Sequence, residues 1–254
     1  MNLEDAVYKI LGWKILASAK IEGKDVVVVR KKKRVELVYD HVIHSQIFDG
    51  NRFTHQYWDY LLPLPAVFHR PRVLIMGLGG GTMPYQMKKI FGKNISIEVV
   101  ERSPQIVGLS KAFLPEKLDA KITVAEGISY VSRKSSEYDI IISDMYIGEK
   151  MPNELYLEKN AEYFYNALSG KGIFAVNYAL TMNSAIKKKE LLSRLRKFFE
   201  VYEIDYPGGR GNKIIVCSKK YLREEIISKV SGYFNDVPDS MFLVKAYSGM
   251  KKAR

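Results

Sequence analysis

Two patterns of hydrophobic residues divide the chain at about Arg70. Before this point, short runs rich in valine and isoleucine predict β-strands. These runs lie at residues 25–29, 35–39 and 41–48. The aromatic stretch 53–67 carries two prolines and predicts a short helix ahead of a linker. We therefore expect a small antiparallel β-domain over residues 1–70.

Beyond Arg72, apolar runs alternate with helical segments, which is typical of βαβ units on a parallel sheet. Val73–Met76 is continuously apolar, as expected for a strand that is buried on both faces. The predicted strands cover 73–76, 95–100, 121–125, 138–143, 172–179, 201–205 and 213–218. The predicted helices cover 82–91, a segment starting at 104, 154–168, 184–199 and 220–233.

Seven strands, the last two joined as a hairpin, predict an α/β fold over residues 71–254. The expected type is the Rossmann-like, seven-stranded fold of class I S-adenosylmethionine-dependent methyltransferases. In such a doubly wound sheet the ligand lies beyond the carboxyl ends of the central strands, where the strand order reverses. Side chains that follow the strands are therefore the candidates for binding and chemistry.

Composition changes this picture little. Hydrophobic residues make up 47% of the 254 positions, enough for a large core. The single cysteine, Cys217, excludes an intramolecular disulfide and indicates a reducing compartment. The sequence has no apolar run of the roughly 20 residues needed to cross a bilayer, and its start does not resemble a secretory signal. We expect a cytoplasmic protein without a membrane partner.

The net charge of +12 comes from 40 basic and 28 acidic residues. Such an excess attracts acidic or phosphate-rich partners, so it permits nucleic acid as a partner. A lysine-rich surface that confers solubility is the commoner explanation. A small-molecule acceptor remains the favoured partner.

A glycine cluster follows the first strand of the larger region. Gly77, Gly79, Gly80 and Gly81 let the backbone turn tightly and approach a ligand closely. The spacing departs from the dinucleotide pattern G-x-G-x-x-G, because Thr82 stands where the last glycine belongs. We expect this loop to bind an S-adenosyl nucleoside.

Acidic residues follow the next two strands. Glu101 lies about 20 residues beyond the glycine loop, where a carboxylate accepts hydrogen bonds from ribose hydroxyls. Glu126 and Gly127 come after the third strand and are candidates for the adenine edge. Glu126 could equally be an acid that stabilises the start of a helix.

Asp144 ends the fourth strand, beside the glycine loop if the strand order is the usual one. A carboxylate there would face the transferred group, as a general base or as the partner of a cationic substrate. Tyr146 follows closely, would line the same cleft and is the second candidate for a catalytic residue. A turn or cap role for Asp144 is the structural alternative.

Other chemistries find little support. The four histidines, His41, His44, His55 and His69, match no zinc spacing, and no metal is expected. The sequence lacks the G-x-S-x-G elbow of serine hydrolases. Cys217 lies in an apolar strand and is expected in the core.

With these residues in place, the chain resembles the spermidine synthase family, the aminopropyltransferases and their methyltransferase-like relatives, over about residues 25–180. The family pattern runs without a gap from Gln46 through Gly81, and Leu62-Pro63-Leu64 is in register. The resemblance makes Gln46 a donor-binding residue. It gives Glu101 the ribose role, Glu126-Gly127 the adenine role and Asp144 the first position of the D-S-S-D-P segment.

The chain departs from the family at its other acids. Gly80 stands at the aspartate of G-G-G-D-G-G, and the tyrosine and glutamate of the Y-H-E segment fall on His55 and Tyr57. The second aspartate of D-S-S-D falls on Ile147. Because a diamine carries two cations that need carboxylate partners, these changes argue against a putrescine site. We expect His55 and Tyr57 to shape the substrate pocket.

The function expected from the sequence is group transfer from an S-adenosyl donor, and the G-L-G-G-G-T loop favours methyl transfer from S-adenosylmethionine to an unnamed acceptor. The alternative is aminopropyl transfer from decarboxylated S-adenosylmethionine to an atypical amine. A non-catalytic nucleoside-binding or scaffold protein is the alternative of another class. The resemblance also implies a homo-oligomer.

Overall fold

The computed structural model describes residues 8–146, 151–179, 184–208 and 212–254. Residues 14–48 form the small antiparallel sheet, in the order β1-β2-β3-β4. Its strands are β1 (Lys14–Ile21), β2 (Lys24–Lys31), β3 (Arg34–Tyr39) and β4 (Val42–Phe48). Strand β1 was not predicted from the sequence.

Tight turns join these strands. Glu22 and Gly23 between β1 and β2 both have positive φ, at 51° and 78°. Asp40 and His41 between β3 and β4 repeat the pattern at 49° and 66°. Two consecutive positive φ values define the turn whose twist matches that of a β-hairpin. The local chain therefore specifies a meander.

The segment between the two sheets is irregular. In place of one short helix, it forms two 3₁₀ helices, Tyr57–Leu61 and Leu64–Val67. Pro63 stands between them and cannot donate the backbone hydrogen bond that a continuous helix would need. The second 3₁₀ helix packs against the C-terminal part of the chain.

The large sheet has eight strands in the order β12-β10-β11-β9-β8-β5-β6-β7. They are β5 (Arg72–Met76), β6 (Ser96–Glu101), β7 (Lys121–Val124), β8 (Tyr138–Ser143), β9 (Leu168–Tyr178), β10 (Glu200–Asp205), β11 (Lys213–Ser218) and β12 (Lys251–Lys252). Strands β5 to β9 pair in parallel, and β11 pairs antiparallel with β9 and β10. The seven predicted strands are all present, and the two-residue β12 is the addition.

Helices flank this sheet. They are α1 (Thr82–Phe91), α2 (Pro104–Phe113), α3 (Gly127–Val131), α4 (Glu158–Ala167), α5 (Ser184–Leu195), α6 (Arg223–Phe234) and α7 (Met241–Ser248). The predicted helix 154–168 is interrupted at Leu157, whose extended backbone separates a 3₁₀ turn from α4. Helix α7 was not predicted from the sequence.

One continuous hydrophobic core joins the two sheets. It extends from Ile21 and Leu37 of the small sheet through Ile75 of β5 to Tyr247 of α7. The last four residues of β5, Val73–Met76, are buried, as the apolar run predicts. Strand order reverses between β5 and β8, so the carboxyl ends of these two strands open a crevice beneath the small sheet. The domain boundary at residue 70 remains a prediction.

Candidate functional site

A cleft of about 1860 Å³ lies at the carboxyl ends of β5, β6 and β8. Strand β4 of the small sheet lines its other side with His44, Ser45 and Gln46. Pockets for a single small ligand usually measure about 300–1,000 Å³. The cleft therefore has room for a nucleoside and a second reactant.

Gly77 lies where the two central strands meet. Its neighbour Met76 pairs with Ser143 across β5 and β8, so Gly77 faces Asp144. Its φ is +101°, and a Cβ at this position would collide with the backbone carbonyl of Asp144. A side chain here would be both strained and blocked. The glycine thus lets the loop pass directly beside Asp144.

The backbone N–H groups of the glycine loop are largely used within the protein. Gly77 donates to the Val100 carbonyl at 2.9 Å, and Gly81 donates to the Leu78 carbonyl at 2.9 Å. Two more amides of the loop also donate within the protein. The Leu78 N–H donates to Glu101 Oε2 at 2.9 Å, and the Gly80 N–H donates to Ser45 Oγ at 2.7 Å. Four loop amides are therefore unavailable to an anionic ligand group.

Gly80 is required by packing. A Cβ built on Gly80 would lie 2.7–2.8 Å from ring atoms of Phe113, which is fully buried at the end of α2. A side chain at this position would have to displace that ring. The Phe113 ring therefore occupies the space that an aspartate side chain at position 80 would need.

Glu101 reaches the cleft from the end of β6. Its Oε2 accepts the Leu78 amide, and its Oε1 accepts the Ser103 amide at 2.9 Å. Each carboxylate oxygen can accept a further hydrogen bond. Glu101 thus fixes the glycine loop and lines the cleft. The ribose role of Glu101 remains a prediction.

Glu126 is the N-cap of α3. Its carboxylate accepts the Ile128 amide at 3.0 Å and the Ser129 amide at 2.7 Å. The helix-cap alternative is therefore correct, and the side chain also lines the cleft. At Gly127 a Cβ would lie 2.6 Å from Met145 Sδ, so the glycine makes room for that side chain. The adenine role of both residues remains a prediction.

Gln46 lies buried on β4 at the cleft wall. Its Nε2 donates to Glu36 Oε1 at 2.9 Å, and buried Glu36 forms an ion pair with Arg34. Its backbone carbonyl accepts the Thr82 hydroxyl at 3.2 Å. Side chain and backbone are thus both fixed, which orients the Gln46 amide before any ligand binds.

Asp144 follows β8 and is held by two neutral donors. Asn177 Nδ2 donates to Oδ1 at 3.0 Å, and the Tyr57 hydroxyl lies 3.4 Å from Oδ2. Burial raises the pKa of Asp144 to about 6, although both hydrogen bonds oppose the rise. A carboxylate with this pKa can take up a proton near neutral pH, as a general base must.

Tyr146 is committed to the backbone of the neighbouring strand. Its hydroxyl donates to the Asn177 carbonyl at 2.8 Å and accepts the Ala179 amide at 2.9 Å. Burial also raises its pKa, which keeps the hydroxyl protonated. Tyr146 lines the cleft as predicted, but its hydroxyl is placed to anchor the loop after β8. A catalytic role for it remains a prediction.

Tyr57 and His55 behave differently. Tyr57 lines the cleft, and burial together with the Asp144 charge raises its pKa well above the usual value, so its hydroxyl is a donor to Asp144. The prediction for His55 is wrong: the residue is exposed, does not line the cleft, and packs its ring 4.5 Å from that of Phe242. Its positive φ of 58° turns the side chain outward.

Sequence reasoning missed three residues that complete this site. Asn177 on β9 orients Asp144 and pairs with Asn212 Nδ2 at 3.1 Å. Ser45 holds Gly80, and Tyr206 after β10 lines the cleft and lies 3.3 Å from the His55 carbonyl. Asn177 and Tyr206 lie at strand ends, so the rule that identified Asp144 could have found them. The predicted departure at Ile147 lies outside the described residues.

Within the described ranges, no three metal-ligating side chains cluster. No helix among them is long and apolar enough to cross a membrane.

Residues 54–207, more than half of the chain, match the family model described as Spermine/spermidine synthase domain. The chain is similar to a polyamine aminopropyltransferase of Vibrio vulnificus, with 25% identity over 57% of this chain and 49% of the relative. It is 26% identical to polyamine aminopropyltransferase 1 of Aquifex aeolicus, over 92% of this chain and 88% of that relative. The first alignment thus spans about half the length of the relative.

Solved structures confirm the predicted fold. The spermidine synthase from Thermotoga maritima superposes with a TM-score of 0.72 at 17% identity, covering 92% of this chain and 84% of that one. Human methyltransferase-like protein 13, solved in complex with SAH, gives a TM-score of 0.60 at 18% identity, covering 72% and 92%. At such identities these structures are informative about the fold alone.

Proposed function

Since the chain belongs to the spermine/spermidine synthase domain family, we propose that it is an aminopropyltransferase. The donor in this proposal is decarboxylated S-adenosylmethionine, and the acceptor is an amine. The curated relatives are polyamine aminopropyltransferases. They support this alternative, and they do not support the methyl transfer that the glycine-loop sequence favoured.

The observation that carries the proposal is the state of the glycine loop. Four of its amides already donate within the protein, and the loop passes beside Asp144. The carboxylate of S-adenosylmethionine would need N–H or cationic partners to offset its desolvation. The decarboxylated donor has lost this carboxylate and keeps only the ammonium. The loop therefore suits the decarboxylated donor better.

The nucleoside half of the donor would lie between β4 and α3. We assign the ribose hydroxyls to Glu101 and to the fixed amide of Gln46, and the adenine to the wall formed by Glu126 and Gly127. Gly77 and Gly79 line the cleft and would let the sulfonium approach the strand ends, whereas Gly80 and Gly81 do not line it. The sulfonium makes the adjacent carbon electrophilic, so alignment of the reactants is the main task of the protein.

The acceptor would bind between Asp144 and Tyr57. Its nitrogen forms a bond to the aminopropyl carbon as the carbon–sulfur bond breaks, which releases methylthioadenosine and one proton. Asp144 is placed to accept that proton or to hold the attacking nitrogen. The hydrogen bonds from Asn177 and Tyr57 keep its carboxylate oriented toward the cleft.

Isothermal titration calorimetry tests the donor assignment. We expect decarboxylated S-adenosylmethionine and methylthioadenosine to bind more tightly than S-adenosylmethionine. Asp139→Asn should give the same order of affinities as the wild type, because Asp139 pairs with Arg72 and lies on β8 outside the cleft. Equal or tighter binding of S-adenosylmethionine would refute the donor assignment, and absence of binding by all three nucleosides would favour a scaffold.

A further inference from the structure

The segment that carries Tyr57 forms one wall of the cleft. Gln56, Tyr57 and Trp58 line the cleft, yet they come from an irregular stretch and a single 3₁₀ turn. His55 just before them has a positive φ, which costs energy for a side chain of this kind. Some tertiary contact must hold this segment in place.

One such contact is made by the side chain of Asp59, which is fully buried and lies outside the cleft. Its Oδ2 accepts the amides of Thr54 and His55, both at 2.6 Å. Its Oδ1 accepts Gln86 Nε2 at 2.9 Å and the Thr54 hydroxyl at 3.1 Å. One carboxylate thus satisfies four donors and closes the turn that precedes Tyr57.

Thr54 transmits this constraint to the aromatic wall. Its hydroxyl oxygen accepts the indole N–H of Trp58 at 2.7 Å, and Trp58 is buried. The ring of Tyr57 stands edge-on to the Trp58 ring, with the centroids 4.9 Å apart. The hydroxyl of Tyr57 then reaches Asp144.

Gln86 ties the same carboxylate to the glycine-loop side of the cleft. It lies on α1, the helix that begins at the end of the glycine loop, and its Nε2 also donates to the Arg52 carbonyl at 2.9 Å. The wall that carries Tyr57 and the helix that follows the glycine loop are therefore fixed to one another through Asp59.

We propose that Asp59 is a positioning residue for the amine acceptor: through Thr54 and Trp58 it holds Tyr57 against Asp144. The inference rests on the proposed function for the identity of the acceptor, but the geometry that it describes exists without substrate. Asp59 touches neither reactant and acts through Tyr57.

Asp59→Asn tests the proposal, because asparagine offers one acceptor oxygen in place of two. Its amide NH₂ would also face the groups that now donate hydrogen bonds to Asp59. Tyr57 and Tyr146 are the titratable groups facing Asp144 among the described residues. Loss of the Tyr57 hydrogen bond should raise the pKa of Asp144, by about half a unit. Carboxyl ¹³C NMR titration of Asp144 measures this shift directly and requires no turnover.

Kinetics supply the second readout. In Asp59→Asn we expect the acid limb of the pH profile of kcat/KM for the amine to move to higher pH, by the same amount as the NMR titration. The KM for the acceptor should rise several-fold. Donor affinity should stay within about twofold. Tyr57→Phe should cause the same shift, and the double variant should shift no further than Tyr57→Phe alone. Asp139→Asn should leave both the titration and the acid limb unchanged.

Two results would overturn the proposal. The first is a folded Asp59→Asn protein in which Asp144 titrates as in the wild type. The second is a double variant in which the Asp144 pKa shift equals the sum of the shifts in Asp59→Asn and Tyr57→Phe. If Asp59→Asn does not fold, Gln86→Leu removes one donor of the same network and is judged by the same two criteria. Should the wild type transfer no aminopropyl group to any amine, the proposed function fails, and the NMR titration still decides the role of Asp59.

Discussion

Asp144 and Tyr57 lie 87 positions apart in the sequence, yet the Tyr57 hydroxyl is 3.4 Å from Asp144 Oδ2. The two residues come from different layers, since Asp144 ends a central strand and Tyr57 begins a 3₁₀ helix between the sheets. Asp144 is partly buried, and burial raises its pKa to about 6, although the hydrogen bond from Tyr57 opposes the rise. The chemistry that we propose depends on this pair.

Asp144→Asn should remove activity and leave donor binding intact. Asparagine cannot take up the proton that the attacking nitrogen loses, so we expect kcat to fall by a factor of about 10²–10⁴. Donor affinity measured by calorimetry should remain within a few-fold of wild type. Equal turnover in the variant would exclude Asp144 as the base.

The activity should depend on pH through the same carboxyl group. Because its pKa is about 6, the ionised form that acts as a base predominates only above that pH. We expect the logarithm of kcat/KM for the amine to fall below about pH 6 with a slope of one, as the uptake of one proton requires. The measurement is a pH–rate profile. An acid limb that persists unchanged in Asp144→Asn would assign the titration to another group.

The raised pKa of Asp144 also has a stability consequence. The folded protein binds this proton more tightly than the unfolded chain, so the wild type loses stability as the pH rises from about 4 through 6. Asp144→Asn escapes this loss. The unfolding free energy of the variant relative to wild type should therefore increase by about 1–2 kcal/mol over that range, because the group is only partly buried. Urea unfolding at several pH values measures it, and a decrease would contradict the account.

Glu101→Ala tests the ribose assignment. Loss of charged hydrogen bonds should weaken nucleoside binding by about 1–3 kcal/mol. Because Glu101 also holds the amides of Leu78 and Ser103, Glu101→Gln is the milder companion variant and should retain part of the affinity. Calorimetry with methylthioadenosine gives both values. Unchanged affinity in Glu101→Ala would remove the residue from the site.

Gly80→Asp would restore the aspartate of the family's G-G-G-D-G-G segment and should destabilise this protein. The new Cβ would meet the Phe113 ring, and overpacking of this kind costs about 1–3 kcal/mol. Gly108→Ala on α2 is the matched control, since no atom lies within 4 Å of its added Cβ, and it should be neutral or stabilising. Thermal unfolding compares the two. A Gly80→Asp protein as stable as wild type would show that Phe113 moves aside freely.

The sequence was sufficient to predict the parts of this molecule that depend on local pattern. The apolar run Val73–Met76 predicted the central strand, and residues that follow strands, such as Glu101 and Asp144, were correctly brought to one edge. Parallel strands present their carboxyl ends on the same side, so position along the chain translates directly into position in the cleft.

Contacts between distant segments could not be predicted in this way. The positive φ of His55 directs its side chain to Phe242 on α7, a helix that the sequence analysis had not identified. Likewise the bond from Gly80 N–H to Ser45 Oγ depends on how β4 packs over the loop. Such contacts follow from tertiary packing, which periodicity does not encode.

Analysis of the reaction products identifies which group the protein transfers. The protein is incubated with a panel of amines and, separately, with decarboxylated S-adenosylmethionine or S-adenosylmethionine, and the released nucleoside is identified by mass spectrometry. We expect methylthioadenosine together with an amine heavier by one aminopropyl group, formed only from the decarboxylated donor. Release of S-adenosylhomocysteine with a methylated acceptor, and no methylthioadenosine, would contradict it.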